Sequence, residues 1–318
     1  MASNPIIRTA ADYLIAGFTT AASPVLGALA KHRRSLPLSV RRANAGGFAI
    51  VPHHYYSPMV TGRDLRHELR EVRQLPGLVL DLDEHRAFLE GLCFAEELRA
   101  IPMEQASDTK YGFRNKFFSS GDAEILYGVI RRDRPKRILE VGSGRSTLVA
   151  RMAILRNQAD DPDYTCEQIC IEPYEMPWLE SVGVKVQRER VEMVDLTLFD
   201  TLEAGDILFV DSSHVIRPQG DVLREVLEIY PRLKPGVLIQ VHDIFTPRDY
   251  HHRWVIDDMR MWNEQYLLEA FLAFNPAFKV VCALNWLVND HPELLREACP
   301  VLTELLPNQP GSFWFQRV

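Results

Sequence analysis

Four side chains that follow two apolar runs have types suited to acid–base or metal chemistry. Asp211 and His214 follow the first run, and His242 and Asp243 follow the next. If both runs are strands of one parallel sheet, their carboxyl ends lie at the edge where such sheets bind ligands. An imidazole titrates near pH ~6.5 and suits proton transfer. The set predicts either a general base, His214 assisted by Asp211, or a metal site of Asp211, His242 and Asp243.

A glycine loop lies upstream of these residues. An apolar strand ends in Glu140-Val-Gly142-Ser143-Gly144, and a helix-compatible segment follows. This strand–loop–helix unit is typical of sites for nucleotide-like ligands, and we assign Ser143 to it with the two glycines. The Glu140 carboxylate would repel a pyrophosphate, but it suits a ligand that carries an ammonium and a sulfonium. The predicted cofactor is S-adenosylmethionine. NAD fits less well, also because Thr147 stands where a third glycine is expected.

Several residues have expected roles toward that cofactor. Gly142 and Gly144 let the backbone approach the ligand, and N–H groups near Ser146 can receive its carboxylate at the start of a helix. Glu140 is expected to hold the ammonium directly or through water. Glu172, at the end of the next predicted strand, is expected to accept hydrogen bonds from both ribose hydroxyls.

Asp122 precedes the glycine loop and opens a predicted helix over 122–132. Its carboxylate could add to the ammonium site, or it could only cap that helix. Both interpretations stay open.

The elements that must position these residues alternate between strand and helix from residue 116 onward, which is typical of an α/β sheet. Strands are predicted at 137–141, 168–171, 184–187, 207–210, 237–241, 279–283 and 312–316. Further helices are predicted at 146–157, 177–182, 196–203, 222–233 and 254–274, with a helical insertion over 286–311 and two earlier helical patches at 63–73 and 83–98. The last two strands are expected to pair antiparallel.

With these blocks in place, the chain resembles the class I S-adenosylmethionine-dependent methyltransferases, and within them a bacterial branch that acts on small molecules. The blocks are Phe117-Phe118-Ser-Ser-Gly-Asp122-Ala-Glu124, Glu140-Val-Gly-Ser-Gly144, Asp206-Ile-Leu-Phe-Val-Asp211-Ser-Ser-His214, and Leu233-Lys-Pro-Gly236 followed by Val241-His-Asp243. The resemblance implies a Rossmann-like, doubly wound sheet of seven strands with an antiparallel last strand. It places the methyltransferase domain at 116–318, after a mainly helical extension over 1–115.

The strand ends are also similar to those of catechol and caffeoyl-coenzyme-A O-methyltransferases. Those enzymes hold a divalent cation with an Asp after the fourth strand and an Asp-Asn or similar pair after the fifth, and their base is a Lys three residues beyond the first Asp. Here Asp211, His242 and Asp243 occupy the ligand positions, and His214 occupies that of the Lys. Because an imidazole is an unusual ligand for Mg²⁺, a metal-free site is favoured over a divalent cation.

The leading interpretation is therefore methyl transfer to a hydroxyl of a small-molecule acceptor, with His214 as general base. Transfer to nitrogen is the alternative among enzymes. A cofactor-binding protein without turnover, acting as a partner in a biosynthetic cluster, is the alternative outside them. An NAD-linked oxidoreductase is disfavoured by Glu140 and Thr147. Aromatic residues after Asp243, among them Trp254 and Trp262, suit an acceptor pocket.

The composition of the chain limits the kinds of partner and the cellular location that are expected. The chain has 36 basic and 43 acidic residues, a net charge of −7, so a nucleic-acid substrate is not expected. Five scattered cysteines indicate free thiols and a cytoplasmic location. No integral membrane span is expected, because no run of about 18 strongly apolar residues occurs. Residues 6–30 are expected to form a helical arm that packs on the domain or on a second subunit, with peripheral membrane contact as the alternative.

Overall fold

The computed structural model describes residues 5–318 of the chain, with side chains from residue 8 onward. Contacts divide the chain into two compact units. The first ends at Asp64 and the second begins at Leu65. Residues 65–115 belong to the same unit as the sheet, so the division lies earlier than the boundary at 115 expected from sequence. In the first unit, α1 (Pro5–His32) and α2 (Pro37–Ala45) are joined by a 3₁₀ turn, Arg33–Ser35.

Seven strands form one sheet in the second unit. They are β1 (Arg137–Val141), β2 (Glu167–Ile171), β3 (Lys185–Gln187), β4 (Ile207–Val210), β5 (Leu238–Val241), β6 (Phe278–Ala283) and β7 (Phe313–Arg317). Their order is β3-β2-β1-β4-β5-β7-β6. β7 runs antiparallel to both β5 and β6, and the other pairs are parallel. The predicted Rossmann-like α/β class is confirmed, and each predicted strand matches within one residue at either end.

The central strands β1, β4 and β5 are buried along nearly their whole length because both faces of the sheet are covered. In β4, Ile207 and Phe209 belong to one apolar cluster, whereas Leu208 and Val210 belong to the other. This alternation places one cluster on each face. The order of the strands reverses between β1 and β4, which is the place where open α/β sheets form a crevice for ligands.

Helices of the second unit fill the connections. They are α3 (Leu82–Leu89), α4 (Ala95–Ala100), α5 (Asp122–Asp133), α6 (Arg145–Asp160), α7 (Asp221–Arg224), α8 (Glu264–Leu272), α9 (Leu284–Asp290) and α10 (Pro300–Glu304). α5 and α6 confirm the helices predicted around the glycine loop, and α9 and α10 confirm the helical insertion between the last two strands. The predicted helix at 222–233 is α7 followed by a π turn and a 3₁₀ turn, and those at 177–182 and 196–203 are 3₁₀ turns.

Of the three remaining helix predictions, one was wrong and two were correct for only part of their length. Residues 63–73 form turns and bends. The patch at 83–98 is two helices, α3 and α4, separated at Gly91, which has a φ of 79°. The long helix predicted over 254–274 is a π turn, Arg253–Asp257, and then α8. Between them Met259 and Met261 adopt left-handed φ values of 46° and 56°, which interrupt the helix although the apolar spacing continues across the break.

Candidate active site

Gly142 brings the glycine loop against the end of β4. Its φ is 77°, and a Cβ at this position would lie 1.8 Å from the carbonyl oxygen of Asp211. The Asp211 N–H also donates to the carbonyl of Val141 at 2.8 Å. Glycine is therefore required for the approach of two loops to each other, in addition to any approach to a ligand. A Cβ at Gly144 would meet only Met176 Cε, at 3.8 Å.

Glu140 is held by hydroxyl groups of the protein. It is buried, and its Oε1 and Oε2 accept hydrogen bonds from Ser146 Oγ at 2.6 Å and Thr147 Oγ1 at 2.8 Å. Burial raises the pKa of Glu140 to about 7, against the lowering by these two hydroxyls. The carboxylate thus ties β1 to the start of α6, and it lines neither of the two cavities at this edge.

Glu172 lies at the end of β2, in a cavity of about 400 Å³ that Gly142 also lines. Its Oε1 accepts hydrogen bonds from the N–H groups of Tyr174 and Glu175, both at 2.9 Å, and its Oε2 accepts one from the Ser143 N–H at 3.3 Å. A carboxylate held by backbone groups at the cavity wall fits a polar ligand at this place.

A larger cavity of about 1130 Å³ holds the four residues after β4 and β5. It shares Asp211, Ser212 and Ser213 with the smaller cavity, so the two meet at the loop after β4. The structure therefore brings together Asp211, His214, His242 and Asp243, as the sequence predicted. Asp122 lines the same cavity.

His214 is the most constrained of these side chains. It is 4% exposed, and its Nδ1 lies 2.8 Å from Glu264 Oε2. On the other side of the ring, Nε2 lies 3.2 Å from Asp211 Oδ1 and 3.8 Å from Asp243 Oδ2. Burial opposes a charged imidazole, but hydrogen bonds with Asp211 and Glu264 outweigh it and raise the pKa of His214 to about 10. Trp262 packs on the ring at 4.2 Å between centroids.

Glu264 is the functional candidate that sequence reasoning missed. It is 1% exposed and stands in the first turn of α8. The carbonyl of His214 accepts hydrogen bonds from the N–H groups of Asn263 and Glu264, at 2.9 and 3.2 Å, so the backbone itself holds this carboxylate beside the imidazole. The sequence signal was Asn263 followed by an acid, a helix start, which the prediction of a continuous helix concealed.

His242 and Asp122 form a second pair behind His214. His242 Nε2 lies 3.5 Å from Asp122 Oδ2, and its Nδ1 lies 3.4 Å from Asp211 Oδ2. Asp122 Oδ1 accepts a hydrogen bond from the Ser312 N–H at 2.7 Å, which ties α5 to the segment before β7. Burial opposes charge on His242, but Asp243 and Asp211 raise its pKa well above the usual value. Two roles were open for Asp122, the ammonium site and the cap of α5. Its position at the cavity wall agrees with the first, which stays a prediction.

A metal-compatible group exists among the described residues, but with a different imidazole from the predicted one. One ligand atom each of Asp211, His214 and Asp243 lie within 4.8 Å of one another. His242, the predicted imidazole ligand, is not part of this group. The Nδ1 of His242 still lies 3.4 Å from Asp211 Oδ2 and 3.8 Å from Asp243 Oδ1.

Carboxylates outnumber imidazoles at this edge. Asp122, Asp211, Asp243 and Glu264 lie around His214 and His242. Burial raises the pKa of Asp243 and of Glu264, whereas the imidazoles outweigh burial and lower that of Asp211. A buried site with more acidic than basic groups favours ligands that carry positive charge.

Aromatic rings form the far wall of the larger cavity. Trp254 packs against Phe245 at 5.4 Å and against Trp262 at 4.9 Å between ring centroids. The guanidinium of Arg260 lies 4.3 Å from the ring centre of Trp254 and 4.6 Å from that of Trp262. The predicted acceptor-pocket aromatics therefore line this cavity, next to the polar group.

Known proteins match this region of the chain. Residues 139–244 match the sequence profile of a family described as a methyltransferase domain. An uncharacterized protein of Archaeoglobus fulgidus is 30% identical over 175 residues, which make up 51% of this chain and 77% of the relative. A solved O-methyltransferase of Bacillus cereus, in complex with SAH, is 14% identical with a TM-score of 0.35, and the likeness covers 73% of this chain and 90% of that one.

Proposed function

Because the chain belongs to the class I S-adenosylmethionine-dependent methyltransferases, we propose that it transfers a methyl group from S-adenosylmethionine to a hydroxyl oxygen of a small molecule. The observation that carries this proposal is His214, held by Glu264 on one nitrogen with the other directed at Asp211 and Asp243 in the larger cavity. When bound, S-adenosylmethionine supplies an electrophilic methyl group on a positively charged sulfur.

The two adjoining cavities suit the two reactants, the cofactor and the methyl acceptor. Glu172 in the smaller cavity suits the ribose of the cofactor. The acidic groups where the cavities meet, Asp211 above all, suit its positively charged end. The larger cavity, with its aromatic wall, is of the size and character of a small-molecule site.

His214 is the group that takes the proton of the acceptor. A hydroxyl must lose its proton as its oxygen bonds to the methyl carbon, whereas a neutral amine attacks with a free lone pair. A positioned base is therefore of more use to O- than to N-methylation. Glu264 holds the proton on Nδ1, as a carboxylate does in other histidine bases. Because the pKa of His214 is raised to about 10, Nε2 must lose its own proton before it can accept one from the hydroxyl. The oxygen gains the methyl carbon, its proton passes to Nε2, and the sulfur leaves as a neutral thioether.

We also propose a divalent cation between Asp211 and Asp243, which revises the metal-free site favoured by the sequence. That preference rested on an imidazole ligand, and the structure offers two carboxylates within 4.8 Å that need none. Such a cation would lower the pKa of an acceptor hydroxyl. Its charge would also oppose the imidazolium form of His214 and so favour proton acceptance.

Replacement of Glu172 by alanine is expected to weaken binding of S-adenosylmethionine and S-adenosylhomocysteine by about 1–3 kcal/mol, because the ribose hydroxyls lose their acceptor. Calorimetry with both ligands and with NAD measures this. NAD is expected not to bind, and Glu189→Ala, which removes an exposed carboxylate near β3, is expected to leave both affinities unchanged. Binding of NAD without any response to the two sulfur compounds would overturn the cofactor assignment.

Glu264→Gln is expected to lower kcat by about 10- to 1000-fold with little change in the KM for S-adenosylmethionine. An amide at this position can donate to Nδ1 and so place the proton on Nε2, where proton acceptance is blocked. Steady-state kinetics of the variant, beside the exposed control Glu293→Gln, checks this. Wild-type kcat in a folded Glu264→Gln protein would show that Glu264 does not position the base.

A further inference from the structure

The first unit presents a long apolar helix to solvent. In α1 the large apolar side chains of Leu14, Ile15, Phe18 and Val25 are between 63% and 77% exposed. Among the described residues, the helix at Arg8–Ser35 is long and apolar enough to cross a bilayer by length and composition, and only 6% of its apolar window is buried. Water is a poor environment for such a surface, so a partner is expected to cover it.

The exposed apolar residues share one face of α1. Leu14, Phe18 and Val25 are separated by four and seven residues, which places them on one side of the helix. Hydroxyls on the other side are satisfied within the helix, because Thr20 Oγ1 donates to the Ala16 carbonyl at 2.8 Å and Ser23 Oγ donates to that of Thr19 at 2.7 Å. The hydroxyls on the polar face of α1 therefore do not depend on water for their hydrogen bonds.

A basic cluster follows the apolar face directly. Its residues are Lys31, His32, Arg33, Arg34, Arg41 and Arg42, all exposed. No acidic residue occurs between Asp12 and Asp64, in a chain whose net charge is −7. The positive charge is thus concentrated beside the exposed apolar face and is complementary to an anionic surface.

We propose that α1 lies in the surface of an anionic lipid bilayer, with Leu14, Phe18 and Val25 among the acyl chains and the basic cluster on the phosphate headgroups. Reversible anchoring of this kind needs two signals, an apolar one and a basic one, and both occur here within about 30 residues. An in-plane helix agrees with α1 better than a spanning one. Leu14, Phe18 and Val25 share one face, and Pro24 lies inside the helix, where it removes one backbone hydrogen bond.

The test is sedimentation of the full-length protein with vesicles. The protein is expected to sediment with vesicles that contain phosphatidylglycerol, much less with phosphatidylcholine alone, and less as salt is raised. Phe18→Glu and the double change Arg33→Glu with Arg34→Glu are each expected to weaken binding by about tenfold or more. Thr20→Glu is the matched control, because it adds the same charge on the opposite face of α1, and it is expected to retain binding. Binding of S-adenosylmethionine reports folding of the second unit in every variant.

Three outcomes would overturn the proposal. One is a wild-type protein that does not sediment with phosphatidylglycerol vesicles. Another is equal vesicle binding by Phe18→Glu and Thr20→Glu. The third is a lipid-free dimer that Phe18→Glu converts to a monomer, with no vesicle binding by either protein, which would assign the apolar face to a second copy of the chain. Each is independent of methyl transfer, so failure here leaves the proposed function untouched.

Discussion

Replacement of His214 by asparagine or alanine is expected to lower turnover about 10²- to 10⁴-fold, the usual contribution of a positioned base. The imidazole is proposed to accept the hydroxyl proton, and its loss leaves carboxylates as the only acid–base groups described beside it. Asparagine is the better test, because residue 214 has a φ of 60°, a conformation that asparagine adopts more readily than alanine. Rates with saturating S-adenosylmethionine and an accepted hydroxyl substrate measure the effect.

Cofactor affinity separates a lost base from a damaged fold. Calorimetry is expected to give His214→Asn nearly the wild-type affinity for S-adenosylhomocysteine, since Glu172 and the glycine loop are unchanged. His252→Asn, an exposed histidine that does not line the cavity, is expected to keep wild-type turnover. If His214→Asn methylates its acceptor at the wild-type rate, another group takes the proton.

Removal of divalent cations is expected to abolish most turnover, and addition of Mg²⁺ or Mn²⁺ to restore it. Asp211 and Asp243 approach closely enough to share one ion, and a hydroxyl beside that ion ionises more readily. Dialysis against a chelator followed by a rate measurement tests whether turnover needs a cation. Paramagnetic resonance with Mn²⁺ tests whether a cation binds, because it reports binding without any reference to activity.

The variant Asp243→Asn tests whether Asp243 is a ligand of the cation. Residue 243 has a φ of 57°, which asparagine tolerates, so the fold is expected to remain while Mn²⁺ affinity and turnover fall. His214→Asn is expected to lose turnover and keep Mn²⁺ binding, since the imidazole is proposed as base and not as ligand. Asp258→Asn, which lies outside the cavity, serves as the control. Full activity in excess chelator would instead support the metal-free site that the sequence favoured.

The strands were predictable because their signals are local. Strands β1, β4 and β5 are short segments rich in branched apolar residues, and turns with Gly142 or Gly236 lie close to two of them. In a doubly wound sheet that pattern alone places Asp211 and Asp243 at one edge. The helix predicted over 254–274 failed for the same reason. Apolar spacing is a local signal as well, and it does not record the left-handed residues at Met259 and Met261.

By itself, the sequence determined the α/β sheet and the edge at which Asp211, His214, His242 and Asp243 come together. Tertiary structure decided which partner each side chain meets. Glu140 turns to Ser146 and Thr147, and His214 takes the place between two carboxylates that was assigned to His242. Glu264 reaches His214 across 50 residues of chain, because backbone hydrogen bonds from α8 fix it there. Spacing along a chain specifies which residues share an edge, whereas a hydrogen bond depends on ångström distances that only the packed backbone sets.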